Sequence, residues 1–483
     1  MKQIALPSQA RAIDQDMMVC QKIPGLLLME QAAIAICQAA TQMLPSLGRV
    51  LAVAGGGNNG GDAFAAARIL LVAGYDVQVG YLPAKELPAD AAANFAFWEH
   101  SDRLTLLDEK SLPAFFAQPA DIILDGIFGT GLSRVPVGIY AQAICAINEH
   151  PARKIAIDIP SGVFGETGAA PLAVAADATV TFQYAKPCHL LFPGRGKTGK
   201  LHIAKIGMDS RELPLKWVDE FSLPARAANT HKGSYGRLGV IAGAKGMAGA
   251  ALLCTRAGIA AGAGLTTLLS CGYVCDQAQS SLPTAMAREI SSHPDYIAPI
   301  SGYEAELDRF DALAIGPGIG QNEQTAGLVA QLAASDCPKV LDADALTLLA
   351  RKPLCFGSNT VLTPHPKEFS RLSGLSVEQI LQNPVLHAQA FAREYGVTLL
   401  LKGATTIVAT SDEAYFITAG TPGMAKGGSG DVLTGVIGAL LAQKLAPTEA
   451  AYGGAYLCGK AGERASAAKG ESSMTAEDTI AFL

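Results

Sequence analysis

The sequence predicts two α/β domains, each an αβα sandwich around a mainly parallel sheet. Three observations carry that expectation. The chain has 483 residues, beyond the ~250–300 residues at which single cores stop growing. Hydrophobic residues make up 49% and charged residues 17%, which suits sizeable cores and argues against disorder. Short aliphatic runs alternate with helical stretches, the pattern of βαβ units.

In order, Arg49–Ala54 reads as a strand ending in Gly55-Gly56-Gly57, Ala63–Ala73 as a helix and Asp76–Tyr81 as the next strand. Further strands are expected at Asp121–Leu124, Lys154–Ile157 and Ala178–Phe182. Gly207–Asn229 then mixes charges and prolines with little periodicity; the domains are accordingly placed at 1–210 and 225–483, with 211–224 as linker. Met247–Ser270 reads as a buried helix running into a strand. Other strands are expected at Leu238–Ala242, Ala312–Ile315, Lys339–Leu341, Thr360–Leu362, Thr398–Leu401 and Thr406–Ala409.

Composition excludes several classes. A formal charge of −6 and a pI near 5.8 without a basic stripe argue against nucleic-acid binding. Mean hydropathy is +0.26, yet the most apolar stretch carries Arg256, and Met1–Asp16 lacks a signal-type apolar core. Neither export nor a membrane is expected. The ten cysteines show no CxxC pair and sit mostly in apolar runs, as reduced thiols in a cytoplasmic protein would.

Three strand ends in the first domain carry polar groups. Gly55–Asp62 (GGGNNGGD) satisfies GxGxxG, but a dinucleotide fingerprint leaves Asn58, Asn59 and Asp62 unexplained. Asp62 reads equally as a helix cap or a ligand residue. Asp125 and Asp158 each follow an apolar strand and precede a Gly/Ser loop, and in open parallel sheets that edge binds ligands. GGGNNGGDAF, LDGIFGTGLSR and AIDIPSG together resemble the NAD(P)HX epimerase family, which interconverts the R and S forms of NADH and NADPH hydrated at nicotinamide C6 (NADHX and NADPHX). The resemblance implies a Rossmann-like αβα domain. It also implies substrate contacts at Asn58, Asn59, Gly60, Gly61, Asp62, Gly129, Thr130, Gly131, Leu132, Ser133, Arg134, Val135 and Asp158. Asn59, Asp125 and Ser161 would hold K+. Ala63 departs from the glycine common in the family. Asp158 is the expected acid–base residue, on the argument that burial raises a strand-end carboxyl.

In the second domain, Gly420–Asp431 (GTPGMAKGGSGD) precedes a helix expected at Val432–Leu441. Free backbone N–H groups and the positive helix end suit a transferring phosphoryl group. Asp431 at its mouth reads as the base for an attacking hydroxyl, with a plain helix cap as the alternative. Lys402–Thr406 joins two strands, His365 lies between prolines, and Gly316–Gly320 and Asp342–Asp344 follow strands. These segments resemble the ribokinase-like superfamily, and more closely the NAD(P)HX dehydratase family. By that resemblance Ala250, Gly318, His365 and Asp431 contact the hydrated nucleotide, and Lys402, Gly403, Ala404, Thr405, Thr406 and Gly430 contact the adenine nucleotide. Lys367 and Thr421 depart from the family's usual Gly and Asn. The implied reaction uses ADP, in preference to ATP, with Mg2+, in a homo-oligomer. The alternative is a small-molecule kinase for a vitamin precursor, fused to a non-catalytic binding domain.

Overall fold

The computed structural model describes residues 1–44, 48–207, 211–223 and 225–483. The chain forms two compact units, Gln3–Leu213 and Pro214–Leu483, the latter joined by Met1–Lys2.

In the first unit a parallel sheet runs in the order Leu104–Leu106, Asp76–Tyr81, Arg49–Ala54, Ile122–Gly126, Arg153–Ile157, Ala178–Phe182, Lys200–Ala204. Side chains alternate across each strand. Val50, Ala52 and Ala54 therefore face the helices Gly25–Thr41 and Asn58–Val72, while Leu51 and Val53 face Ile139–Glu149. Both faces are covered, so the central strands are mostly apolar, with Asp125 near the end of one as an exception. Strand order reverses between Arg49–Ala54 and Ile122–Gly126, whose register pairs Val53 with Asp125. The crevice outside such a switch point is where doubly wound sheets bind ligands.

The second unit repeats this plan with a difference. Arg237–Ile241 lies between Leu265–Ser270 and Ala312–Ile315, and beyond the latter come Lys339–Leu341, Thr360–Leu362 and Thr398–Leu401, all parallel. Thr406–Ala409 and Ala414–Ile417 then add antiparallel. Leu215–Trp217, within the stretch expected as linker, is a strand parallel to Ala414–Ile417. Its three residues are too short to show a period. Val240 packs toward the helix Ser429–Ala442 on one face, and Ile241 and Leu313 toward Glu323–Ala334 on the other.

Two helices begin earlier than their apolar patterns suggest. The first starts at Asn58, capped by Gly57, so Asp62 lies inside the helix and does not cap it. The second starts at Ser429, behind Gly428 in the left-handed region at φ +94°, where glycine carries no steric penalty. Asp431 thus sits in the first turn and not at the cap. At the first of these helix starts glycine lets backbone approach backbone: a Cβ on Gly60 would lie 1.9 Å from the Gly55 carbonyl oxygen.

Candidate active sites

At the carboxyl edge of the first sheet lies an open cavity of about 140 Å³. Asn58, Asp62, Thr130 and Asp158 line it, as do Asp14, Asp90 and Lys186. Ala10, Met18, Leu28, Met29 and Phe182 make an apolar wall.

Asp158 follows Arg153–Ile157 with φ +63°, a conformation that costs a non-glycine residue energy and is typically held by its surroundings. Here the surroundings are explicit. The Lys186 ammonium donates to Asp158 Oδ1 at 2.6 Å, Thr181 Oγ1 donates at 2.9 Å, and His189 Nε2 meets the Asp158 carbonyl at 2.9 Å. Burial alone would raise the carboxyl, but the Lys186 charge and these hydrogen bonds outweigh it and hold Asp158 below the usual range. This corrects the sequence-based expectation of a raised Asp158, which rested on burial alone. The acids raised in this site are others. Burial lifts Asp14 to about 6, against the pull of Lys186, and burial with Asp158 and Asp14 nearby raises Asp62 well above the usual carboxyl value.

Next to the cavity, Asp125 is wholly buried. Its Oδ1 accepts from Ser161 Oγ at 2.6 Å and its Oδ2 from the Ser161 N–H at 2.8 Å. Among the described residues no cationic side chain lies within ion-pairing distance, and burial pushes this carboxyl up to about 6. Asn59 Nδ2 is buried without a hydrogen-bond partner. A Cβ on Gly129 would meet Asn59 Oδ1 at 3.0 Å and Asp158 Oδ2 at 3.4 Å; the loop therefore presses its backbone between these two side chains. Gly60 and Gly61 are buried packing positions, the latter against Met29 and Ala91. Gly131, Leu132, Ser133, Arg134 and Val135 do not line the cavity.

The second site assembles around a buried carboxylate. Asp342 Oδ1 accepts from Lys402 Nζ at 2.8 Å and Oδ2 from Thr434 Oγ1 at 2.7 Å. Burial alone would lower the Lys402 ammonium; Asp342 and Glu368 outweigh it and hold it above its usual value. Glu368 Oε2 lies 3.9 Å from Lys402 Nζ and accepts the His365 N–H at 2.9 Å. His365 Nδ1 in turn accepts the N–H groups of Lys367 and Glu368, capping the helix Pro366–Ser373. A Cβ on Gly430 would lie 3.5 Å from both Asp342 Oδ2 and Lys402 Nζ. Burial first and Asp342 second raise Asp431 to about 7, with Lys402 opposing.

Gly403–Thr405 forms the bend after Lys402. Ala250 opens the helix Ala248–Ala260, and a Cβ on Gly318 would meet Ala250 Cβ at 3.1 Å. That helix packs on Ser429–Ala442 so closely that a Cβ on Gly435 would lie 2.1 Å from the Cys254 carbonyl oxygen. Thr421 Oγ1 donates to Glu471, and exposed Lys367 takes part in the His365 cap, so neither departure disturbs the Asp342 cluster.

Sequence reasoning missed Asp14, Lys186, Glu368 and Thr434 as site residues, and it placed Asp342 at the ligand-bearing edge without giving it a role. Lys186 left one signal, a lone cation in the apolar stretch 178–191, where burial demands a partner.

Two αβα domains, one with an acidic cavity at its sheet edge and one with a glycine-capped helix end beside a lysine–carboxylate pair, define a two-site α/β enzyme. A model of the YjeF-related protein N-terminus matches residues 25–188, and one of NAD(P)H-hydrate dehydratase matches 238–482. The bifunctional NAD(P)H-hydrate repair enzyme of Moorella thermoacetica is 36% identical over 95% of this chain and 92% of its own. That of Escherichia coli is 36% identical over 94% and 87%. A solved ADP/ATP-dependent NAD(P)H-hydrate dehydratase from Bacillus subtilis, co-crystallized with ATP/Mg2+, is 30% identical over 54% of this chain and 91% of its own, with a TM-score of 0.48. The chain belongs to the family of bifunctional NAD(P)H-hydrate repair enzymes. Among the described residues no helix is long and apolar enough to cross a membrane.

Proposed function

We propose that the first-domain cavity interconverts R- and S-NADHX and NADPHX, and that the Asp431 site dehydrates the S form with ADP as phosphoryl donor. The observation that carries the second assignment is Asp431 itself, a carboxyl in the first turn of a glycine-capped helix beside Lys402. Asp431 takes the proton of the C6 hydroxyl as its oxygen attacks the terminal phosphoryl group of ADP. Backbone N–H groups at the helix start and Lys402 offset the developing charge. Phosphate then leaves C6, pushed by the ring nitrogen lone pair, and loss of the C5 proton restores NADH or NADPH. Lys402, Gly403, Ala404, Thr405, Thr406 and Gly430 hold the nucleotide in this reading; Ala250, Gly318 and His365 border the substrate.

In the first domain, ionised Asp158 serves as base in a pocket formed with Asn58, Asp62 and Thr130. The donors around Asp125 suit K+: a buried carboxylate without a cationic partner, the Ser161 oxygen and the Asn59 amide are hard oxygen ligands. K+ would supply the countercharge that Asp125 lacks and anchor the Gly126–Gly129 loop. Mg2+ would arrive with the nucleotide, held mainly by phosphate oxygens and water, since both Asp342 oxygens are already engaged. The proposal also takes the enzyme as a cytoplasmic homo-oligomer; the ten free thiols and the exposed Leu26, Leu27 and Ile34 on one helix support this.

The test is NADH regeneration from mixed R- and S-NADHX with Mg2+, K+ and either ADP or ATP, followed by absorbance. Full recovery with ADP, abolished by Asp431→Ala, is the expected result. Recovery of the S fraction alone at enzymatic speed would remove the epimerase assignment. No recovery with either nucleotide would remove the dehydratase assignment and favour the vitamin-precursor kinase.

A further inference from the structure

The first helix, Pro7–Val19, precedes every motif in the sequence and the residues 25–188 matched by the N-terminal family model. It nevertheless forms one wall of the first-domain cavity through Ala10, Asp14 and Met18. These positions are four apart and share a helix face. Two are apolar, and the third is a carboxylic acid aimed into the cavity. Among the described residues Asp14 makes no hydrogen bond and no ion pair, although its helix neighbour Asp16 is tied to Arg211. A half-buried carboxyl without a partner costs stability. Nothing in the packing of Ala10 and Met18 calls for one there.

We propose that Asp14 is the second catalytic acid–base residue of the epimerase site, acting opposite Asp158. The proposal rests on the reading of this cavity as the epimerase site. Inversion at C6 through loss and return of the hydroxyl needs a proton given and a proton taken. Protonated Asp14 gives its proton to the C6 hydroxyl; the C6–O bond breaks, water departs, and the ring nitrogen lone pair forms the C6–N1 double bond. A second water adds to the other face of C6, and ionised Asp158 takes its proton as the new C6–O bond forms. One proton has moved from Asp14 to Asp158, and the charge is unchanged. The reverse epimerisation uses the two carboxyls in exchanged roles.

The other charged groups facing the cavity fix which carboxyl starts with the proton. Lys186 binds Asp158 directly at 2.6 Å and reaches Asp14 only at longer range, while Asp62 and Asp90 also line the cavity. Asp14 is raised to about 6 by burial, within reach of both states near neutrality.

The experiment measures epimerisation of purified R-NADHX by the full-length wild type, Asp14→Asn and Asp14→Glu, in 18O-labelled water across pH. Fluorescence of Trp98, fully buried in the first domain, reports that this domain is folded in each protein, and dehydration of S-NADHX reports the second. General acid–base catalysis contributes about 10²–10⁴-fold, so Asp14→Asn should lower kcat at least 100-fold with KM nearly unchanged. Asp14→Glu should restore part of it with a displaced pH profile, and the wild-type product should carry 18O at C6. A kcat for Asp14→Asn within threefold of wild type, or a rise in KM alone, overturns the proposal. So does a product without 18O, since ring opening would retain the oxygen. Absence of epimerisation by the wild type overturns the reading of the cavity beneath it.

Discussion

Replacing Lys186 by methionine keeps the length of the side chain and removes the charge that does most to hold Asp158 ionised. The pair is well buried, with side-chain exposures of 3% and 11%, so the loss is not a surface effect. An isolated carboxylate in that position escapes by protonation. Holding a proton at pH 7 on a group whose unfolded pKa is ~3.9 costs about 1.4 kcal/mol per pH unit, or ~4 kcal/mol. At pH 5 the same arithmetic gives ~1.5 kcal/mol. The sign follows from linkage. In the wild type the Asp158 value lies below its unfolded one, so its contribution is present above the unfolded pKa and lost only as pH falls through the folded value. In the variant burial is opposed only by the weaker pull of Thr181 and His189, so the folded value should lie above the unfolded one and stability should fall as pH rises between the two. Trp98 reports the first domain, being fully buried with its indole N–H on the Phe64 carbonyl at 3.1 Å. A Trp217→Phe background silences the other indole. Urea unfolding followed by Trp98 fluorescence should show Lys186→Met losing ~4 kcal/mol at pH 7 and markedly less at pH 5. Equal stability of variant and control at pH 7, or a larger loss at pH 5, would refute the reasoning.

Two further outcomes concern the second domain. Because Asp431 is raised to about 7 and must be ionised to act as base, kcat/KM for dehydration should climb with pH and level off above that value; Asp342→Asn should move the limb toward acid and weaken nucleotide binding by loosening Lys402, as a pH–rate series with both proteins would show. Gly435→Ala drives a methyl into the Cys254 carbonyl and must displace the helix that carries Asp431, so it should cost at least the ~1–3 kcal/mol typical of overpacking together with about 100-fold in dehydration; calorimetry and the NADH assay would show both, and R-to-S epimerisation should be spared.

Much of this architecture is legible because buried parallel strands are spelled as aliphatic runs: Ala312–Ile315, Lys339–Leu341, Thr360–Leu362 and Thr398–Leu401 fall where the runs do. Acids at strand ends, such as Asp125, Asp158 and Asp342, are legible for the same reason. Ala414–Ile417 is not, since a four-residue strand in a hairpin has a register set by its neighbours. Partnerships across the fold are also hidden. Lys186 is 28 residues from Asp158 in sequence, and no spacing rule joins them. Its omission turned the expected direction of the Asp158 shift around, because burial can be read from an apolar context while a countercharge cannot. Asp14 escaped for a related reason: on its own helix it looks like one more surface acid, and only the tertiary fold turns its face toward a cavity.

The contact between strand end and helix start in the first domain also bears on the chain's history. A Cβ on Gly126 would lie 2.6 Å from the methyl of Ala63. The alanine here occupies room that the bare backbone at 126 leaves open. Its neutrality is therefore conditional, and the two sites are epistatic. A lineage that accepts alanine at 63 gives up a later alanine at 126, whereas one that keeps glycine at 63 still faces the Asn59 carbonyl at 2.9 Å. Change at one end of this contact is licensed only by stasis at the other, so the helix can drift in sequence while the strand end that carries Asp125 stays fixed.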